Sequence, residues 1–314
     1  MATATPVALL AFNRPDLAGR VFAAIRKVQP KRFFFIADGS RSEADVEKCR
    51  ATQALLQRID WPCKVETNIA SVNMGCGRRI SSGLDWLFSQ VEEAIILEDD
   101  CLPCPSFFSF CEELLARYRD ERRVMHISGS NFDPEQNATG DSYHFSKYAL
   151  IWGWATWRRA WQHYRFSVPD WPQFKKKRLR ETFSDRIERA HWIRCLEPIY
   201  KGERTDTWDY QWIYSVLSQQ GLAAIPAVSL ISNIGIREDA THTSKTSDLG
   251  NLPTGEIKQI LHPAAVRTDE RLDSVIFDRF FGGSRLRARQ TLRYRLSKPA
   301  RLWRKWFRTP LASC

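Results

Sequence analysis

The stretch Ala94-Ile95-Ile96-Leu97-Glu98-Asp99-Asp100 runs four apolar residues straight into three consecutive carboxylates. Pro103 and Pro105 follow; each fixes φ and removes a backbone donor, so an extended segment cannot continue through them. The pattern reads as a buried strand that ends in a cation site. Adjacent acidic side chains repel one another and resist burial, and a divalent cation on hard oxygen ligands would offset that repulsion. In open α/β sheets, ligands sit just beyond the carboxyl ends of the strands. A solvated acidic turn is the plainer alternative.

The rest of the chain repeats the same rhythm. Pro6 to Phe12 is an apolar run that stops at Asn13-Arg14-Pro15-Asp16. Leu17, Val21, Ile25 and Val28 then keep one helical face. Arg32 to Ile36 is a second strand, ending at Asp38-Gly39, and Glu43 to Arg58 a second helix. Cys63 to Thr67 is a short third strand, and the loop Asn73 to Arg79 opens a helix carrying Leu84, Leu87, Phe88 and Val91. Phe107, Phe110, Cys111, Leu114, Leu115 and Tyr118 share a face after the acidic triplet, and Val124 to Ile127 is a further strand. Strand and helix in alternation predict a parallel sheet built from right-handed crossovers. The segment 151–161 is different: it packs four tryptophans, Trp152, Trp154, Trp157 and Trp161, into ten residues. Aromatic faces line many ligand clefts.

Two carboxylate centres stand out, the Glu98-Asp99-Asp100 triplet and the pair Asp206 and Asp209. The second is flanked by Trp208 and Trp212, where desolvation would push a carboxyl toward the range of a useful base; a helix cap is the plainer role for Asp209. Asp38 follows a buried strand, as acids that contact nucleotides do, or else makes an ordinary Asp-Gly turn. The two glycines of Asn73-Met74-Gly75-Cys76-Gly77-Arg78-Arg79 would let backbone amides approach an anion, although GxGxxG and the Walker lysine are missing.

In order along the chain, Pro6 to Pro15, Phe35 to Gly39, Asn73 to Gly75, Ile95 to Asp100 with Pro103 and Phe107-Phe108, Gly153 to Trp157, Trp208-Asp209 and Asn233 to His242 resemble the pattern of GT-A glycosyltransferases. More narrowly, they resemble the N-acetylglucosaminyltransferase I family and bacterial family 2-like sugar transferases. The resemblance covers about residues 6–280. It implies an α/β fold with a Rossmann-like, mostly parallel sheet flanked by helices, residues 1–135 forming the nucleotide-sugar half and 136–280 the acceptor and catalytic half of one domain. It also implies a nucleotide-sugar donor, with a UDP-sugar expected, Mn²⁺ or Mg²⁺, and a glycan or lipid-linked acceptor. Asp100 and His242 would hold the metal. Arg14, Asp38, Asn73, Arg78, Glu98 and Asp99 would lie along the donor, and Asp209 would be the catalytic base, with Asp206 competing because the family's adjacent acids are here Trp208-Asp209-Tyr210. Trp152, Trp154, Trp157 and Trp208 are the expected acceptor wall.

The net charge of +11 is unevenly placed. Residues 279–314 hold eleven Lys or Arg and no acid; taking these from 47 leaves 36 basic against 36 acidic residues. The basic character therefore belongs to a tail over 281–314. Leu302, Trp303, Trp306 and Phe307 share a helical face there, lined by Arg301, Arg304, Lys305 and Arg308, the pattern of an interfacial helix on anionic lipid. A neutral body argues against specific nucleic-acid binding. No run of 18 apolar residues occurs, and Met1 to Thr5 lacks the charged region of a signal peptide. Cys101-Leu-Pro-Cys104 is the one close cysteine pair, without partners for a zinc site. A cytoplasmic protein, peripheral on the inner membrane face, is expected. A non-catalytic nucleotide-sugar or glycan binder on the same fold is the alternative to an enzyme.

Overall fold

A computed structural model describes residues 3–133, 140–236 and 249–290. The elements in chain order are β1 (Val7–Ala11), α1 (Pro15–Val28), β2 (Arg32–Ala37), α2 (Glu43–Gln53), β3 (Lys64–Ile69), α3 (Cys76–Gln90), β4 (Glu93–Glu98), β5 (Cys101–Pro103), α4 (Pro105–Arg117), β6 (Val124–Ser128), β7 (Tyr143–Ser146), β8 (Trp154–Trp157), α5 (Arg158–Trp161), α6 (Trp171–Lys177), α7 (Leu179–Thr182), α8 (Arg186–Tyr200), α9 (Asp209–Ser218), β9 (Leu222–Pro226), β10 (Ile231–Asn233), α10 (Glu270–Arg279) and α11 (Gly283–Gln290). Eight strands form one sheet in the order β3-β2-β1-β4-β8-β6-β9-β7. β8 runs antiparallel to both neighbours and β7 antiparallel to β9, so the other six strands point one way. This is the expected α/β, mostly parallel, helix-flanked sheet. It is continuous across position 135, because β8 pairs with β4 on one side and β6 on the other.

The central strands read as unbroken apolar runs because both of their faces are covered. Side chains alternate strictly between two cores. Ala8, Leu10, Phe34, Ile36, Ala94 and Ile96 join α3's Leu84, Leu87 and Phe88 on one face. Val7, Leu9, Phe33, Phe35, Ile95 and Leu97 join Val21, Phe22 and Ile25 of α1 and Phe107, Phe110 and Leu114 of α4 on the other. Parallel register sets Ala11 beside Ala37 and Leu10 beside Glu98. The segments that follow β1, β2 and β4 therefore emerge at one rim. The helix expected over 43–58 breaks into α2 and a 3-10 turn, Ala54–Arg58.

The tryptophan-rich segment is largely core. Trp154 is fully buried, stacked on Trp208 at 5.8 Å and on His126 at 5.1 Å, with Trp212 at 5.6 Å. His126 accepts from Trp212 Nε1 at 3.1 Å and holds Leu150 O at 3.0 Å through its other nitrogen; burial keeps it neutral, its pKa pushed down to about 3. Trp154→Ala should cost about 3–5 kcal/mol, the range for emptying a buried aromatic site. Denaturant unfolding with the slope held constant measures it.

Asp273 of α10 is buried beneath β7, accepting from Ser146 Oγ at 2.5 Å and Lys147 N at 3.2 Å. Burial raises its pKa to about 6. Its charge thus weakens the fold above pH 6, and protonation relieves that cost as pH falls from 6 toward the unfolded carboxyl value. Asp273→Asn should accordingly be more stable than wild type at pH 8, by on the order of 1–3 kcal/mol, since each tenfold change in proton affinity is worth about 1.4 kcal/mol. The gap should close by about pH 4, as read from paired thermal melts across pH.

Candidate active site

Three loops and two helix starts meet at the rim where β1, β2 and β4 end. The β1 loop supplies Phe12, whose N–H donates to Asp99 Oδ2 at 3.1 Å, and Arg14, whose Nη1 reaches Asp100 Oδ2 at 3.0 Å. β5, just beyond the triplet, pairs antiparallel with β10. That ribbon carries Gly235 over the Asp100 carboxylate, so close that a Cβ there would lie 2.1 Å from Oδ2. Ile234 N donates to Asp100 O at 2.9 Å and locks the approach. A glycine at 235 is thus what leaves room for the acid.

The triplet is poorly solvated and short of positive charge. Burial and then the neighbouring Asp100 raise Asp99 to about 7. Glu98 is pushed well up by burial and by the charges of Asp100, Asp99 and Asp209, with Arg14 opposing. Burial also raises Asp100, against the pull of Arg14. Three carboxyls beside the Arg14 guanidinium make a corner that gains from a further cation. The available oxygens are hard ligands, and a small divalent ion fits one or two carboxylates with its remaining ligands taken from a substrate phosphate. Among the described residues no three His, Cys, Asp or Glu side chains are placed so as to hold a metal ion together, so an ion here would need ligands from a substrate phosphate. His242 lies outside the described residues.

Asp209 reaches the same corner from the other half of the chain. The loop before α9 packs on the first turn of α3: a Cβ at Gly77 would meet Thr205 O at 2.5 Å and Thr207 O at 2.7 Å. Asp209 opens α9, half-buried, and accepts from Thr207 Oγ1. Its charge raises both Glu98 and the Cys76 thiol at the start of α3. Asp206 is instead exposed and paired with Arg204 at 3.3 Å. Trp208 and Trp212, the neighbours expected to desolvate Asp209, are turned into the core. Cys76 and Thr207 enter the corner without any marker in the sequence beyond lying next to Gly75 and two residues before Asp209.

Two of the other expected donor contacts, Asp38 and Asn73, also brace the loop ahead of α3. Asp38 is buried; its carboxylate accepts from Gly39 N, Met74 N, Gly75 N and Asn73 Nδ2 at 2.9–3.1 Å. It pins the glycine loop ahead of α3, and Asn73 Nδ2 also donates to Gly39 O at 2.8 Å. Arg78 is exposed and lies over the Phe166 ring at 5.4 Å, while Arg79 is buried on Asn68. Of the four tryptophans expected to form an acceptor wall, Trp154, Trp157 and Trp208 are 0–2% exposed and have no surface to offer. Burial of these three follows from their places in β8 and before α9, against the sheet. Trp152 is partly exposed and rests on Phe132 and Phe280. Cys101 and Cys104 are buried free thiols.

No protein-family model matches the chain, and no curated protein matches it. Among solved structures, the inositol-1-phosphate CTP transferase from T. maritima is similar at 12% identity and a TM-score of 0.39, over 88% of this chain and 98% of that one. UDP-glucose pyrophosphorylase in its apo form aligns at 8% identity and 0.35, over 70% and 90%. HddC from Yersinia pseudotuberculosis aligns at 11% and 0.33, over 54% and 86%. Scores of this size carry no argument about chemistry. The fold class stands on the sheet order and strand directions.

Proposed function

We propose that the chain is a metal-dependent glycosyltransferase, moving a sugar from a nucleotide-sugar, with a UDP-sugar expected, to a glycan or lipid-linked hydroxyl with inversion. The observation that carries this reading is the meeting, at one sheet rim, of the Glu98-Asp99-Asp100 triplet, Arg14 and Asp209. The rim lies at the carboxyl ends of parallel strands, where α/β sheets bind their ligands. Asp100 and Arg14 would face the diphosphate, Asp100 through Mn²⁺ or Mg²⁺. When bound, such an ion neutralises charge on the leaving diphosphate. Asp209 takes the proton from the acceptor oxygen as that oxygen attacks the anomeric carbon. Asp206, held by Arg204 at the surface, is the weaker candidate for this step. Asp38 and Asn73 shape the donor side by fixing the loop ahead of α3, and Trp152 is the tryptophan left to meet an acceptor.

The tail over 281–314, of which 291–314 lies outside the described residues, would attach the protein to the inner membrane face through its basic amphipathic pattern. Among the described residues no helix is long and apolar enough to cross a membrane. A panel of nucleotide-sugars, assayed for hydrolysis and for transfer with and without Mn²⁺, tests the enzymatic reading. Metal-dependent release of nucleoside diphosphate supports it. Binding of a nucleotide-sugar without any turnover would instead make the chain a carbohydrate-binding protein on this fold.

A further inference from the structure

The body carries a second concentration of charge, away from the acidic rim. Lys175, Arg180, Arg186 and Arg189 surround an apolar floor of Leu179 and Ile193, in a groove of about 610 Å³ between α6, α7 and α8. One acid beside it neutralises Lys175, and two others are engaged elsewhere. Glu197 holds Lys175 at 2.8 Å, Glu188 is buried against Lys147 at 2.9 Å, and Asp185 is taken by Arg287 of α11. Glu181 is exposed on α7. Arg180 and Arg186 are exposed, and no acidic side chain among the described residues pairs with either. Arg189 keeps its place by donating to Phe183 O and Ser184 O, both at 2.6 Å.

The last described helix, α11, is held beside α8. Arg287 ties α11 to Asp185, the residue that caps α8. The basic stretch 291–314, outside the described residues, follows α11 in sequence.

We propose that this groove docks the anionic surface of a lipid bilayer. Cations around an apolar floor suit phosphate headgroups resting on acyl chains. A nucleic-acid backbone would leave the apolar floor unused. The inference deepens, and rests on, the membrane placement proposed for the tail.

Flotation of the full chain with vesicles tests it, comparing phosphatidylcholine alone with phosphatidylcholine carrying phosphatidylglycerol. At about 1 kcal/mol for each basic residue near such a surface, the double variant Arg180→Gln/Arg186→Gln should bind anionic vesicles roughly 30-fold more weakly. Lys48→Gln/Arg50→Gln, an equal change of charge on exposed positions of α2, should stay within about twofold of wild type. Equal loss in both variants would reduce the effect to net charge and overturn the groove. Wild-type binding with no loss in the first variant would overturn the groove and leave the tail. No wild-type binding to anionic vesicles would defeat both. Duplex DNA held more tightly than the vesicles, and released by the same two substitutions, would assign the face to nucleic acid and also overturn the proposal.

Discussion

Asp209→Asn is expected to lower kcat by about 10²–10⁴-fold, the usual contribution of a positioned acid–base group, with donor affinity kept within about twofold. The side chain sits at the start of α9, where asparagine is a close fit in size. Thr207 Oγ1, which donates to the carboxylate, can still donate to the amide oxygen. What disappears is the ability to accept a proton from the attacking hydroxyl. Single-turnover transfer, with donor Kd measured separately, separates the two effects. The same substitution at exposed Asp206, whose carboxylate is paired with Arg204, should leave kcat within a few-fold. An Asp206→Asn variant that lost rate while Asp209→Asn kept it would exchange the two roles.

Asp100→Asn is expected to be more damaging, because it acts on binding and chemistry together. Charge neutralisation by a bound ion contributes several kcal/mol to a transition state, so a loss of about three orders of magnitude or more in kcat/KM follows at about 1.36 kcal/mol per tenfold. The fold should survive. The substitution removes one of three crowded carboxylates, and its cost is the 3.0 Å ion pair with Arg14. Circular dichroism and a thermal melt separate lost function from lost fold. Arg14 contacts the oxygen that lies under Gly235. Raising Mn²⁺ should therefore restore little activity to the variant, since no carboxylate remains at that position to receive the ion.

The parallel half of the fold was legible because burial on both faces forces apolar runs: 6–12, 32–36 and 94–97 all became central strands. β7 and β8 were not legible. Each is four residues long, too short for a period-two pattern to separate from noise. The tryptophans of 151–161 gave β8 the character of a cleft wall, since a buried indole and a sugar-stacking indole are the same letter in a sequence. Trp154 and Trp157 resolve the question only once β8 is found lodged between β4 and β6. Asp38 shows a similar ambiguity. An acid after a buried strand can face a ligand or its own next loop, and here four donors from 39–75 take its oxygens. The nearness of Asp209 to Glu98 was beyond any local pattern. It depends on the α9 loop packing on Gly77, more than a hundred residues earlier in the chain.

The central claim is that the rim beyond β4 binds a nucleoside diphosphate together with a divalent ion. Calorimetric titration of UDP into the full chain, with Mn²⁺ and then with chelator, tests it most directly. The account predicts saturable binding that requires Mn²⁺ and is lost in Asp100→Asn. Binding of equal strength in the chelator, or in the variant, would contradict it.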